Sequence, residues 1–174
     1  MTVFLHSSRM PAPVEDLAAW HFRPGALDRL IPPWERVRVL GTFGGVAEGS
    51  IAELELRLAG VPIRWRAVHE EVDPERGFRD RQLQGPFASW VHDHRFMPEP
   101  EGHSLLEDRI EYAIRFGAFG RLLAGAKVRR DLDRTFAFRH DRMRHDLRRH
   151  VEDRELAGPD ARPLQVAVTG SSGM

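Results

Sequence analysis

Two histidines separated by one residue, His92 and His94, are the side chains of this sequence best placed to do chemistry. They fall in residues 90–97, a stretch whose pattern predicts a β-strand, and side chains at i and i+2 of a strand share one face. Trp90 and Phe96 share that face, so both imidazoles are expected on an otherwise apolar surface. A neutral imidazole can bind a metal ion or transfer a proton near neutral pH.

The strands predicted before and after this one supply partners for His94. A turn centred near residue 101 would place His94 opposite Asp108, and also Trp90 opposite Tyr112. A turn centred near residue 87 would place His94 beside Asp80. We therefore predict that His94 lies between two carboxylates on the concave side of the sheet. Two negative charges favour the imidazolium, so we expect a raised His94 pKa and a largely protonated ring.

Three interpretations of this polar cluster stay open. It is a satisfied buried hydrogen-bond group, an anchor that orients a ligand, or an acid–base pair, and no catalytic residue is assigned. If the cluster anchors a ligand, the candidate ligand-binding cavity comprises Trp65, Asp80, Gln82, Trp90, His92, His94, Phe96, Asp108, Ile110, Tyr112 and Phe136. His69 or Asp108 could complete a metal site with the two strand histidines, but no further spaced pair of ligands is present, and we predict no metal.

Alternating apolar and polar residues predict seven strands, and three segments have helical patterns. The strands are expected at residues 2–9, 35–40, 50–58, 63–69, 78–84, 90–97 and 104–116, and the helices at 13–22, 25–31 and 119–151. Short turns between the later strands imply an antiparallel meander. The long helix should face the sheet with a stripe spaced by three or four residues: Leu132, Phe136, His140, Met143, Leu147 and Val151.

Composition limits the classes of function. The chain has 174 residues, enough for one domain with a core, and its 26 basic and 26 acidic residues balance. A neutral surface argues against general attraction to nucleic acid, and no apolar run is long enough to span a membrane. The absence of cysteine excludes disulfides and thiolate metal sites, and it fits a cytoplasmic protein.

The arginine-rich long helix is interpreted as a solvated face. Arginine or lysine stands four residues before aspartate in three pairs, Arg129–Asp133, Lys127–Asp131 and Arg142–Asp146. Pairs at this spacing are typical of an exposed helix surface.

The order of elements resembles the START-type, polyketide-cyclase-like helix-grip superfamily (SRPBCC). The resemblance covers residues 1–151 and includes the stretch Gly85-Pro86-Phe87-Ala88-Ser89-Trp90-Val91-His92-Asp93-His94-Arg95-Phe96. It implies an α+β fold in which a seven-stranded antiparallel sheet wraps a long C-terminal helix, with two short helices after the first strand. It also implies a cavity for a small apolar ligand between sheet and helix.

The end of the chain resembles a different family. Residues 152–163 have a linker composition, and residues 164–174 contain Val166-Ala167-Val168-Thr169-Gly170-Ser171-Ser172-Gly173. This is similar to the first strand and glycine loop of NAD(P)-dependent epimerases/dehydratases, in which Gly170 and Gly173 would approach the cofactor pyrophosphate. Only part of that fold is present, so we expect no cofactor in this fragment and NAD(P) only in a further domain.

Three functions therefore remain as hypotheses. The first is a small-ligand-binding domain that is accessory to an epimerase- or dehydrogenase-like domain. The second is a cyclase or aromatase that uses polar cavity residues such as His94. The third is an interaction module that docks onto its own Rossmann-like domain or forms a homodimer through the tail strand. Whether the fragment is itself an enzyme stays open.

Overall fold

The structure is a computed structural model that describes residues 1–58, 60–115 and 117–157, with the side chains of 117–123, 155 and 157 left aside. Its strands are β1 (Thr2–Met10), β2 (Val37–Phe43), β3 (Ile51–Leu58), β4 (Val61–Asp73), β5 (Gly77–Gln84), β6 (Ser89–Glu99) and β7 (His103–Ala113). Its helices are α1 (Val14–Phe22), α2 (Ala26–Arg29) and α3 (Gly117–Ala157).

The seven strands form one antiparallel sheet in the order β1-β7-β6-β5-β4-β3-β2. Strands β2 to β7 form a meander of consecutive hairpins, and the last strand, β7, also pairs with the first strand, β1. In the short β6–β7 connection, Glu101 and Gly102 adopt positive φ angles that let the chain reverse within three residues. The expected seven-stranded antiparallel sheet with two short helices after β1 is confirmed.

Helix α3 covers the β1, β7 and β6 side of the concave face. Leu132, Phe136, Met143 and Leu147 are all at least nine-tenths buried, as their spacing predicts. Phe136 packs against Phe4 of β1 with ring centroids 5.2 Å apart. Burial of this stripe supplies the hydrophobic free energy that holds the helix on the sheet.

Polar contacts connect α3 to the two short helices. Asp146 accepts hydrogen bonds from Arg29 Nε at 2.7 Å, Trp20 Nε1 at 3.2 Å and Arg23 Nη2 at 3.1 Å. The predicted pair between Arg142 and Asp146 is therefore not formed, because the carboxylate turns towards α1 and α2.

The other two predicted pairs on α3 are present. Arg129 Nε lies 3.3 Å from Asp133, and Lys127 Nζ lies 2.5 Å from Asp131. All four side chains are more than half exposed, so these pairs contribute little to stability.

Several elements run beyond their predicted ends. Strand β4 continues through Asp73, and β2 continues to Phe43 through a register shift after Val39. Helix α3 continues to Ala157, six residues into the segment predicted as a linker. The rest of that segment and the tail at 164–174 lie outside the described residues. Among the described helices, none combines the length and the hydrophobicity that a membrane-spanning segment requires.

Replacing Phe136 with alanine tests the packing of α3. Because the Phe136 ring is 2% exposed, Phe136→Ala is expected to lower the free energy of unfolding by about 3–5 kcal/mol. Denaturant unfolding measures this loss, and Leu156→Ala on the same helix, where the side chain is 87% exposed, should change little. Equal values for both variants would contradict the proposed contact.

Candidate functional site

A row of histidines and aspartates crosses the concave face of five adjacent strands. His6 of β1 is opposite Asp108 of β7, which is opposite His94 of β6. Asp80 of β5 lies next to His94 and is opposite His69 of β4. With His92, which shares the face of His94, these six residues form what we call the polar belt.

Asp108 is the centre of the polar belt. Its Oδ1 accepts a hydrogen bond from His92 Nε2 at 2.7 Å and lies 2.9 Å from His94 Nδ1, while its Oδ2 accepts from His140 Nε2 at 2.6 Å. Burial alone would raise the pKa of this carboxyl, but the charge of His94 and the three imidazole contacts hold the pKa well below its usual range. Asp108 is therefore an ionised acceptor.

Asp80 is the second carboxylate of the polar belt. His69 Nδ1 donates to Asp80 Oδ1 at 2.5 Å, and His94 Nε2 donates to Oδ2 at 3.2 Å. Burial opposes ionisation here too, but these two hydrogen bonds lower the pKa of Asp80 below its usual value. About a quarter of the Asp80 side chain, 23%, remains accessible, so this end of the polar belt can be reached from outside.

His92 and His94 differ in protonation because their partners differ. Burial lowers the pKa of His94, but the charges and hydrogen bonds of Asp108 and Asp80 outweigh it and raise the pKa to about 9. His92 has one carboxylate partner and is repelled by the His94 charge, so burial prevails and lowers its pKa. Because the ionised carboxylate of Asp108 can only accept a hydrogen bond from His92 Nε2, the neutral His92 ring carries its proton on Nε2 and has its lone pair on Nδ1.

The strand registers differ in part from those predicted. His94 is opposite Asp108 and Trp90 is opposite Tyr112, as expected. The β5–β6 register is shifted by two residues, so that Asp80 is opposite His92 rather than His94. A shift of two keeps every side chain on its face, and Asp80 still reaches His94 diagonally. The prediction that His94 lies between two carboxylates is confirmed.

Sequence reasoning missed two histidines that join this cluster. His140 of α3 is 1% exposed, and the signal for it was its position in the apolar stripe, four residues after Phe136. His21 of α1 lies with its ring 6.0 Å from that of His94. Burial, and then the positive charge of His94, lowers the pKa of His21 to about 3. His21 therefore covers the polar belt as a neutral ring.

Most apolar residues of the predicted cavity are packed as core. Trp90, Ile110, Tyr112 and Phe136 belong to one buried cluster, and Phe96 belongs to a second. Trp65 stays partly buried, and its ring stacks edge-on against Trp90 at 5.1 Å between centroids. Side chains thus fill the space beneath α3 on the β6, β7 and β1 side.

The concave face of β2, β3 and β4 is different. A set of apolar side chains on these strands lies on the same face as His69. Their strand registers pair Leu54 with Trp65, Leu56 with Ile63, Val39 with Leu54 and Val37 with Leu56. All of them are only partly buried in the described structure. We call this set the apolar face: Val37, Val39, Leu54, Leu56, Ile63 and Trp65.

An open groove of about 570 Å³ lies at the other edge of the sheet, between β1 and α3. Its walls include Trp34, Phe138, Arg134 and Arg144. Arg134 stacks over the Trp34 ring at 4.0 Å, and Arg144 Nε donates to the carbonyl of Arg9 at 3.4 Å. This groove is wide and open, and its walls combine aromatic with charged side chains, unlike the predicted apolar cavity.

The protonation of His94 can be measured directly. NMR titration of the His94 ring, with EDTA present to keep trace metal ions off the imidazole, is expected to give a pKa above the usual 6.5 and near 9. A raised folded-state pKa stabilises the protein fully below 6.5, and this contribution is lost as the pH rises through about 9. A His94 pKa below 6.5 would show that desolvation prevails over the two carboxylates.

Solved structures with the same fold come from proteins of different activities. Zhui aromatase/cyclase from Streptomyces sp. R1128 has a TM-score of 0.65 and 19% identity, over 90% of this chain and 98% of its own. Norcoclaurine synthase from Thalictrum flavum has a TM-score of 0.64 and 15% identity, over 86% of this chain and 87% of its own. At these identities the likeness establishes the fold alone.

A third structure is more similar in sequence. The nucleoside-diphosphate sugar epimerase from Corynebacterium glutamicum is 27% identical with a TM-score of 0.61; the match covers 83% of this chain but 29% of that one. No curated protein sequence matches the chain. A family model described as polyketide cyclase/dehydrase and lipid transport matches residues 10–140, most of the chain, and this protein therefore belongs to that family.

Proposed function

We propose that this domain binds a small amphipathic ligand on the concave side of the sheet and serves as the accessory domain of an epimerase-like protein. The apolar part of the ligand would lie on the apolar face, and its polar end would point to Gln82 and Asp80. The observation that supports the proposal is the contrast between the two halves of the concave face.

The contrast is one of burial. On β1, β7 and β6 the inward apolar residues are covered by α3, and Phe4 and Ile110 have no exposed surface. On β2, β3 and β4 the six inward residues of the apolar face keep part of their surface open among the described residues. Filling this space with apolar ligand atoms would gain about 25 cal/mol for each Å² removed from water.

The polar end of the site has an unused acceptor. Gln82 is opposite Ala67, which lies between Trp65 and His69 on β4, so its amide stands where the apolar face meets the polar belt. Gln82 Nε2 donates to the carbonyl of Phe87 at 3.1 Å, while its Oε1 is buried without a partner in the described part of the chain. A ligand hydroxyl or N–H that donates to Oε1 would satisfy it.

The accessory role is supported by the epimerase from Corynebacterium glutamicum. This chain matches 29% of that protein, so the remainder of that protein is outside the likeness. Residues 164–174 resemble the start of a cofactor-binding domain, with Gly170 and Gly173 as its glycines. That interpretation, the NAD(P) cofactor of such a domain and a dimer through the tail strand stay predictions, since those residues lie outside the described ones.

A cyclase-type reaction is the second candidate function. It is favoured by the accessible carboxylate of Asp80 beside the protonated ring of His94, because the two could hold a proton acceptor and a donor against one ligand. Asp80→Asn would separate the candidates: ligand turnover should be lost in an enzyme, whereas a binding domain should keep its affinity for apolar ligands.

Ligand binding is tested with the neutral dye N-phenylnaphthylamine, an apolar probe with one N–H group. We expect saturable binding with one dye per chain. Leu54→Gln should weaken binding by about tenfold or more, since it replaces one apolar contact side chain by a polar one. Native mass spectrometry of the purified protein would show whether a cellular ligand accompanies it.

The matched control is Leu83→Gln. Leu83 is an exposed leucine on the convex side of β5, so it belongs to the same sheet but not to the proposed site. Dye affinity should be unchanged by this substitution. Equal losses in both variants, or dye uptake that never saturates, would contradict the proposed site.

A further inference from the structure

We propose that Asp80, His92 and His94 form a binding site for one divalent transition-metal ion of the Zn²⁺ or Fe²⁺ type. This site adjoins the proposed ligand surface and shares Asp80 with it, but it does not rest on the function proposed above. Two imidazoles and one carboxylate are a recurrent ligand set for these ions.

The three ligand atoms already converge. One ligand atom from each residue lies within 4.8 Å of the other two. His94 Nε2 and Asp80 Oδ2 are 3.2 Å apart, which is long for a charged hydrogen bond. It matches the roughly 3.3 Å between two atoms that each lie about 2.0 Å from a tetrahedral ion.

The surroundings orient both imidazoles for metal binding. Asp108 is the partner of His92 Nε2 and of His94 Nδ1, which leaves His92 Nδ1 and His94 Nε2 as the nitrogens available to an ion. His69 holds the other oxygen of Asp80. In metal sites, carboxylates that hydrogen-bond to histidine ligands fix the ring tautomer and orientation. Asp108 occupies that position behind His92 and His94.

Charge and access also suit a cation. Asp80 and Asp108 bring two negative charges into the interior, and a divalent ion would balance them in place of the proton on His94. Three protein ligands leave one coordination position for water or substrate. The partly accessible Asp80 side chain provides the approach from solvent.

The sequence alone argued against a metal because no second spaced ligand pair exists. The third ligand comes instead from the neighbouring strand, twelve residues before His92, where the observed β5–β6 register places Asp80 opposite His92. His69 and Asp108, the third ligands that the sequence suggested, support the site from behind.

Zinc binding can be measured by competition with a chromophoric chelator after the whole chain has been dialysed against EDTA. We expect one Zn²⁺ per chain. Removing a residue that hydrogen-bonds to a metal ligand weakens metal binding by roughly 10- to 100-fold. Asp80→Asn and His92→Ala change the ligands themselves, so each should weaken Zn²⁺ binding by about 100-fold or more. His145→Ala, on the exposed side of α3, is the control and should bind as the parent does.

A measurement on the unmodified chain guards against variants that fail to fold. One equivalent of Zn²⁺ should shift the NMR signals of the His92 and His94 rings and leave unchanged those of the partly exposed His103 ring and the exposed His145 ring. The proposal is overturned if no stoichiometric Zn²⁺ is retained, if His145→Ala weakens binding as much as His92→Ala, or if the His103 and His145 rings respond instead.

Discussion

The carboxylate of Asp108 is the interaction on which the arrangement of this domain depends. It is 3% exposed, and it contacts His92 and His94 on the adjacent strand β6 and His140 on α3. A single ionised group thus connects two strands with the helix that crosses them. An ionised carboxylate in the interior is costly unless its lone pairs are used, so removal of any one of these imidazoles leaves part of that cost uncompensated. The position of α3 on the sheet is therefore specified by polar geometry as well as by the apolar stripe around Phe136.

The concave face has two regions with different uses, and they meet at β5. On the β1, β7 and β6 side, aromatic and aliphatic side chains fill the space under α3, and this half provides stability. On the β2, β3 and β4 side, the apolar face keeps accessible surface, and Gln82 and Asp80 lie at the boundary. The family description names both lipid transport and cyclase activity. A boundary between apolar and polar surface is compatible with either, because apolar surface can bind a ligand while the adjacent polar groups orient it.

Much of this could be predicted from the sequence because the information is local. Period-two alternation places His94 and Asp108 on the concave face, and the short β6–β7 turn fixes their pairing. The β5–β6 connection is less regular: Phe87 turns inward against Trp65 and Trp90, and the register moves by two residues. His140 belongs to the predicted buried stripe, but its contact with Asp108, 32 residues earlier, depends on how α3 lies on the sheet. No periodicity encodes that tertiary contact.

The free energy of unfolding of Asp108→Asn, measured by denaturant titration with EDTA present, tests the central role of this carboxylate most directly. The substitution would keep the size of the side chain but remove its charge, and the new amide group would face imidazole N–H groups that need acceptors. We expect a loss of about 3–5 kcal/mol, the usual effect of removing one partner of a buried charged group. Asp141→Asn, on an exposed part of α3, should change the value by less than about 1 kcal/mol. An unfolding free energy for Asp108→Asn equal to that of the parent would contradict the account.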